Sequence, residues 1–239
     1  MQNLIRSFNQ STTYIGRRNV LLSIQQQRTV VFARGERVRG LIRDPEDILT
    51  VNGHRYGVTP ENLKPIKTYL ESANVPPLDD SLLLQVITHK SFAHGSQPYN
   101  ARLAVFGEEL IQLKASKYAL SQETKNQFAV GGKNFDCLGS YGHRMLFTDL
   151  VLSSFAQTKG FADIFFCRVS APITFKNPAE FKPKKMYSTL TTSLVGAIAS
   201  QHGKKVAEEF IEREVLPTVL TTVKSIASSK STKGSEEKK

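Results

Sequence analysis

Three groups of side chains in this 239-residue chain are of a type and spacing that could do chemistry. Glu108 and Glu109 are neighbouring carboxylates in an otherwise apolar stretch. Carboxylates are the ligands a hard divalent cation needs. Successive residues of a helix point about 100° apart, so this pair alone cannot enclose an ion. A solvated pair, or one bridged to Arg102 or Lys114, is the simpler expectation. Cys137 and Cys167 stand far apart, without a C-x-x-C pair or a histidine at ligand spacing. They read as reduced thiols rather than a zinc site or a disulfide framework. The third group is the connector from Arg168 to Lys185. It carries Arg168, Lys176, Lys182, Lys184 and Lys185 against Glu180 alone. Phe175 and Phe181, with Tyr187 just beyond, interleave with these charges. Cations neutralise phosphates and aromatic faces stack on unpaired bases, so the connector is a candidate RNA contact. A solvated loop punctuated by Pro172, Pro178 and Pro183 is the plainer alternative. Arg37, Arg39 and Arg43 form a second basic candidate.

The elements that must position these groups read mostly as helix. Asp79 and Asp80 follow the Pro76-Pro77 breaker and can cap a helix over about 81–92, with Leu83, Leu84 and Ile87 on one face. A second helix is expected over about 101–119, with Leu103, Phe106, Leu110 and Leu113 at helical spacing. Gly107 inside it costs about 1 kcal/mol relative to alanine, which points to close packing against another helix. A third is expected over about 143–159, carrying Leu146, Val151, Leu152 and Phe155. A fourth, about 187–201, looks wholly buried and stops at Gly203, and a fifth runs from Lys204 to about Leu216 and meets Pro217. Gly196 suits close helix packing, and Thr189, Thr191, Thr192 and Ser193 can bond back to their own helix. Between residues 36 and 75, two short extended segments with Asn52-Gly53 as a turn could form a hairpin. The fold class expected is all-α, a helical bundle with an N-terminal extension and a flexible C-terminal tail.

The net charge of +11 sits mainly at the ends. Residues 1–35 hold five arginines and no acid, in a Ser- and Gln-rich context with scattered apolar residues. That composition is expected of a mitochondrial targeting peptide over 1–34, cleaved near Arg28 to Arg34. A basic RNA-binding arm is the alternative reading. No apolar run approaches the roughly 18 residues of a membrane-spanning helix. The Ser/Lys-rich segment over 218–239 is expected to be a solvated tail. The remainder divides into an extension over 35–69 and a helical domain over 70–217.

Ile87-Thr88-His89-Lys90-Ser91-Phe92 resembles the T-H-x-S-[FY] segment of the ribonuclease III family. The block from Asn100 to Glu108 resembles that family's N-E-R-L-E-F-L-G-D hallmark, with the Asn, the Arg-Leu pair and the Gly in register. Leu194-Val195-Gly196-Ala197-Ile198 is similar to its A-L-I-G-A segment. The resemblance implies an endonuclease-domain-like bundle whose domains pair through a helical face. It also implies a magnesium site made from two acidic residues on the hallmark helix and an Asp and a Glu at i, i+3 on a later one. Here the hallmark Glu is Ala101 and the second acidic position in that block is Ala104. The closing Asp is Glu108, and the later pair falls at Thr189 and Thr192. Neutral threonine cannot replace a carboxylate on a dication, so no metal, no cofactor and no catalytic activity are expected. His89 is expected to end a helix with a hydrogen bond.

With these features the chain resembles the non-catalytic ribonuclease III-fold proteins of the fungal mitochondrial large ribosomal subunit, which implies a structural ribosomal subunit in the mitochondrial matrix. It would bind ribosomal RNA and form a heterodimer with another ribonuclease III-like protein. The alternatives are a divergent mitochondrial double-stranded-RNA endonuclease and a protein-binding adaptor that touches no RNA.

Overall fold

A computed structural model describes residues 30–33, 36–39, 49–51, 53–122, 129–133, 135–168 and 183–236. The chain divides into two units, Met1–Asp47 and Ile48–Lys239. In the first, β1 (Val30–Ala33) pairs antiparallel with β2 (Glu36–Arg39). The pairing puts Arg39 opposite Val30 and Arg37 opposite Phe32. It therefore ties together residues on both sides of the boundary expected at Arg34. The rest of residues 1–34, where a targeting peptide is expected, lies outside the described residues.

The second unit opens with β3 (Thr50–Val51) and β4 (His54–Arg55), an antiparallel pair with Gly53 at φ of +81° just before β4. The two strands flank the turn expected from the sequence. The segment around Arg37, however, pairs with the strand before it and not across this turn. Helix α1 (Pro60–Ser72) follows, with Thr59 as its N-cap accepting from the Asn62 amide at 3.4 Å. Leu63, Ile66 and Leu70 of α1 are fully buried. The helical core thus begins before residue 70.

Helix α2 (Asp80–Val86) is shorter than the pattern suggests. The chain leaves it at Ile87 because the next residues pair with a distant segment. The Phe166 amide donates to Ile87 O at 2.8 Å and the His89 amide to Phe166 O at 2.9 Å. A 3-10 turn over Phe92–Gly95 follows, with Ala93, His94 and Gly95 at φ of 44°, 55° and 74°. Two non-glycine residues in this left-handed region cost roughly 1–2 kcal/mol each. The surrounding packing maintains it: Phe92 is fully buried and its ring lies 5.0 Å from Tyr56 and 5.4 Å from Phe166.

Helix α3 (Ala101–Ser121) agrees with expectation in extent but not in its buried face. Phe106 and Leu113 are 45% and 38% exposed, while Ala104, Gly107, Ile111 and Ala115 are buried. Small residues win the inner face because another backbone lies against it. The expected helix over 143–159 is two pieces, α4 (Tyr141–Met145) and α5 (Asp149–Thr158), broken before the Thr148 N-cap. Val151, Leu152 and Phe155 of α5 are buried as expected.

Helix α6 (Lys184–Phe210) is the centre of the bundle and packs most extensively against α3 and α5. It breaks at Gly203 (φ 84°, ψ 168°), where the sequence sets a stop. Ile211–Val215 then forms a π turn leading into α7 (Leu216–Glu236). Pro217 has no amide hydrogen and its ring crowds the carbonyl four residues back. A wider turn accommodates it, and the helix continues rather than stopping. Val219 is buried, and Leu220, Val223 and Ile226 pack against the core. The solvated tail expected from residue 218 is therefore helical. Each charged residue of the π turn makes a bond to another element. Glu212 pairs with Lys114, Arg213 donates to Ala73 O, and Glu214 accepts from Tyr69 at 2.7 Å and from Lys159 at 3.2 Å.

Among the described residues no helix is long and apolar enough to cross a membrane. Among the described residues the second unit is an all-α bundle with the small β3–β4 hairpin, and the first unit holds the β1–β2 pair.

Candidate functional site

The positions singled out in the sequence lie on α3 and α6, and glycine brings those helices into backbone contact. A Cβ built on Gly107 would stand 1.9 Å from Thr192 O and 2.7 Å from Gly196 N. One built on Gly196 would stand 2.0 Å from Leu103 O. Leu103 thus faces Gly196 and Gly107 faces Thr192, so the helices run antiparallel at their closest approach. Ala104 and Thr192, 7% and 4% exposed, lie at this crossing. Ala101, three residues before Ala104 on α3, and Thr189, three residues before Thr192 on α6, are half-buried. Glu108, next to Gly107, is exposed. Of the positions that the resemblance assigns to a metal cage, the crossing therefore brings Ala104 and Thr192 together with Glu108 beside them, while the antiparallel register sets Ala101 and Thr189 towards opposite ends of the contact.

The side chains there do not fit a magnesium ion. The Thr189 hydroxyl donates to Lys185 O at 2.8 Å and the Thr192 hydroxyl to Thr189 O at 3.1 Å. Thr191 and Ser193 likewise bond back along α6, and Thr191 also reaches Leu152 O at 2.9 Å. The back-bonding expected of this run is what holds. Glu108 accepts from Gln112 at 3.4 Å on its own helix. Among the described residues, no group of three or more His, Cys, Asp or Glu side chains could hold a metal ion. A dication wants several anionic oxygens at once, and one carboxylate beside two alanines and two committed hydroxyls does not provide them.

Lys114 does not bridge Glu108 or Glu109. It is 8% exposed and reaches Glu208 at 3.1 Å as well as Glu212. Burial lowers its pKa, but the two carboxylates outweigh that and hold it above the ordinary lysine value. Sequence reasoning missed this cluster because its partners lie about a hundred residues apart. Lys114→Ala leaves Glu208, whose side chain is 18% exposed, with only Lys117 and Lys204 at 3.5–3.6 Å. The expected loss is about 1–3 kcal/mol, reduced from the value for a fully buried pair by the exposure of Glu212. It is read from the urea midpoint. Lys114→Met keeps the stem's packing and should recover the part of that loss not due to charge.

His89 lies beyond α2, which ends at Val86, so the helix end expected of it is set elsewhere and its ring bonds to Ser91 instead. Its Nδ1 accepts from the Ser91 amide at 3.1 Å and sits 2.9 Å from Ser91 Oγ. Burial, and then the neighbouring Lys90, lower its pKa and favour the neutral ring. Ser91 Oγ in turn accepts from the Arg168 amide at 3.0 Å. Cys167 is an inert thiol, its pKa pushed up by burial to about 11.

Of the RNA-contact candidates, Arg168 is placed by that bond to Ser91, and Lys184 and Lys185 are exposed on the first turn of α6. Arg37 and Arg39 lie on β2 in the other unit. Lys176, Lys182 and Arg43 lie outside the described residues.

The all-α bundle and the α3–α6 crossing at the hallmark block agree with a comparison against family models, in which the model described as Ribonuclease-III-like matches residues 79–219. That span covers more than half of the chain and includes all five positions discussed above. This protein belongs to the ribonuclease-III-like family.

Proposed function

We propose that this chain is a non-catalytic, RNA-associated structural subunit of the mitochondrial large ribosomal subunit, binding ribosomal RNA and pairing with another ribonuclease III-like domain. The observation that carries the non-catalytic part is the α3–α6 crossing. Gly107 and Gly196, the residues that pack it, are present, while four of the five acidic positions of the resemblance are alanine or threonine. Hydrolysing a phosphodiester with magnesium needs the ion to activate water and to stabilise charge on the phosphate. A single exposed Glu108 does not hold such an ion. Pairing is supported by the outer face of α3. Phe106 and Leu113, 45% and 38% exposed, lie on one line of that face beside the exposed Arg102 and Glu109, with Val105 at 64% beyond them, a mixed surface that a partner helix would cover. The mitochondrial assignment rests on the acid-free, arginine-rich residues 1–35.

Two measurements test the reading. Incubated with magnesium and double-stranded RNA, the purified chain is expected to leave the RNA intact, and Glu108→Gln to change nothing. Cleavage abolished by that substitution would establish the endonuclease alternative instead. On a gradient of mitochondrial extract the chain is expected to co-migrate with the large ribosomal subunit at moderate salt. A peak confined to the light fractions rejects the ribosomal assignment.

A further inference from the structure

One end of the bundle is built from two chain segments that are almost free of acids. Residues 81–107 contain no Asp or Glu, and between Asp163 and Glu208 the only acid is Glu180. The structure ties these segments together. Thr88 bridges to Phe166, the His89 amide donates to Phe166 O, and the Arg168 amide donates to Ser91 Oγ. Lys90 is exposed between His89 and Ser91, so it stands beside Arg168. Tyr187, one turn into α6, is 6.3 Å from Phe165, and this places the exposed Lys184 and Lys185 at the same end. Arg102, on the first turn of α3, follows Asn100, whose amide donates to Thr88 O at 2.9 Å, and so borders the Lys90 segment on the side towards Gly196, away from Lys184. Asp163, which faces Tyr187, is the acid that borders this end.

An exposed aromatic sits among these cations. Tyr99 is 37% exposed, and its ring approaches the position a Cβ on Gly95 would take to 4.0 Å. Its own carbonyl accepts from Gln85 at 3.0 Å, which fixes its backbone to α2. The turn it leans on is the left-handed run Ala93, His94, Gly95. Backbone of that kind is kept where the surroundings enforce it, and such turns cluster at ligand clamps. Cations that track a phosphate backbone, with a ring offering a free face, are the parts of a single-strand site. A base paired within A-form RNA has no face to offer such a ring.

We propose that this end of the bundle binds unpaired RNA, with Tyr99 stacking on a base while Lys90, Arg102, Arg168 and Lys184 neutralise the flanking phosphates. The inference rests on the reading of the chain as an RNA-associated protein, but not on its being ribosomal. Fluorescence anisotropy of the full chain with an unstructured RNA of about 12 nucleotides, and with the same sequence as a duplex, tests it. The single strand is expected to bind more tightly. Tyr99→Ala is expected to weaken single-strand binding by about 10-fold at unchanged salt slope, while Tyr99→Phe binds as the parent does. Lys90→Gln should reduce the slope of log K against log salt by about 0.7. Lys205→Gln, beyond the Gly203 break at the far end of α6, should leave both unchanged. Equal binding of duplex and single strand, no binding of either, or a folded Tyr99→Ala chain that binds like the parent overturns the proposal. Intact single-strand binding by a chain absent from ribosomal gradient fractions would reject the ribosomal reading and leave this one standing.

Discussion

Gly107→Ala is expected to abolish the native bundle. The added methyl would meet Thr192 O at 1.9 Å, Gly196 N at 2.7 Å and Thr192 C at 2.9 Å. All three atoms are backbone, so no side chain can turn aside, and α3 and α6 would have to separate. Ordinary overpacking in a core costs about 1–3 kcal/mol. Here the two most extensively packed helices move apart together, and the loss should exceed about 4 kcal/mol, in the range that marks a severe defect. The helix-propensity gain of alanine over glycine, about 1 kcal/mol, does not offset it. Thermal melting followed by far-ultraviolet circular dichroism measures the effect. Gly142→Ala in α4 is the control, since nothing lies within 4 Å of its added Cβ. That change should be neutral or stabilising by up to about 1 kcal/mol. A Gly107→Ala chain that melts with the parent would mean that the helices do not cross there.

The second large effect is expected at Phe155, which is fully buried where α5 meets α1 and α6. Its ring lies 6.1 Å from Tyr69, 6.3 Å from Phe161 and 6.2 Å from Phe210, all edge-on. Phe155→Ala removes the transfer energy of the ring and leaves a cavity, a loss of about 3–5 kcal/mol. For a chain of this length the melting temperature should fall by about 6–20 °C. Phe155→Leu, which refills most of the volume, should cost roughly 1 kcal/mol. The two variants separate packing from mere hydrophobicity, and equal losses would contradict the edge-on cluster.

What the sequence made legible follows from how far apart the interacting residues are. Gly107, Gly196 and the threonine run were readable because their signals are local: a glycine inside a helix, and hydroxyls three or four residues from a carbonyl. Gly203 was readable for the same reason. The inner face of α3 was not, because its apolar residues serve two surfaces and spacing alone does not say which is covered. Helical spacing therefore points Phe106 inward, whereas it lies outward. The end of α2 was missed because a segment some eighty residues away, at Phe166, draws the chain out of the helix. Pro217 signals a stop in the sequence because proline usually is one. That a π turn absorbs it depends on Val219, Leu220 and Val223 finding a core to pack on. The basic end was half seen, since Arg168, Lys184 and Lys185 were found from their run. Lys90 and Tyr99 lie in another segment and join them only through backbone pairing.

The α3–α6 crossing also sets an order on evolutionary or engineered change. Its positions differ in their access to water, half-buried at Ala101 and Thr189 and nearly sealed at Ala104 and Thr192. A carboxylate introduced at either of the first two would remain partly hydrated and cost little. One introduced alone at Ala104 or Thr192 would be an uncompensated buried charge, penalised by several kcal/mol. Any path towards a four-carboxylate cluster therefore runs from the rim to the floor. Its last steps are downhill only once a cation is already held by the earlier ones. The same geometry closes only the route that begins at the floor, since a step taken there first is selected against for stability alone.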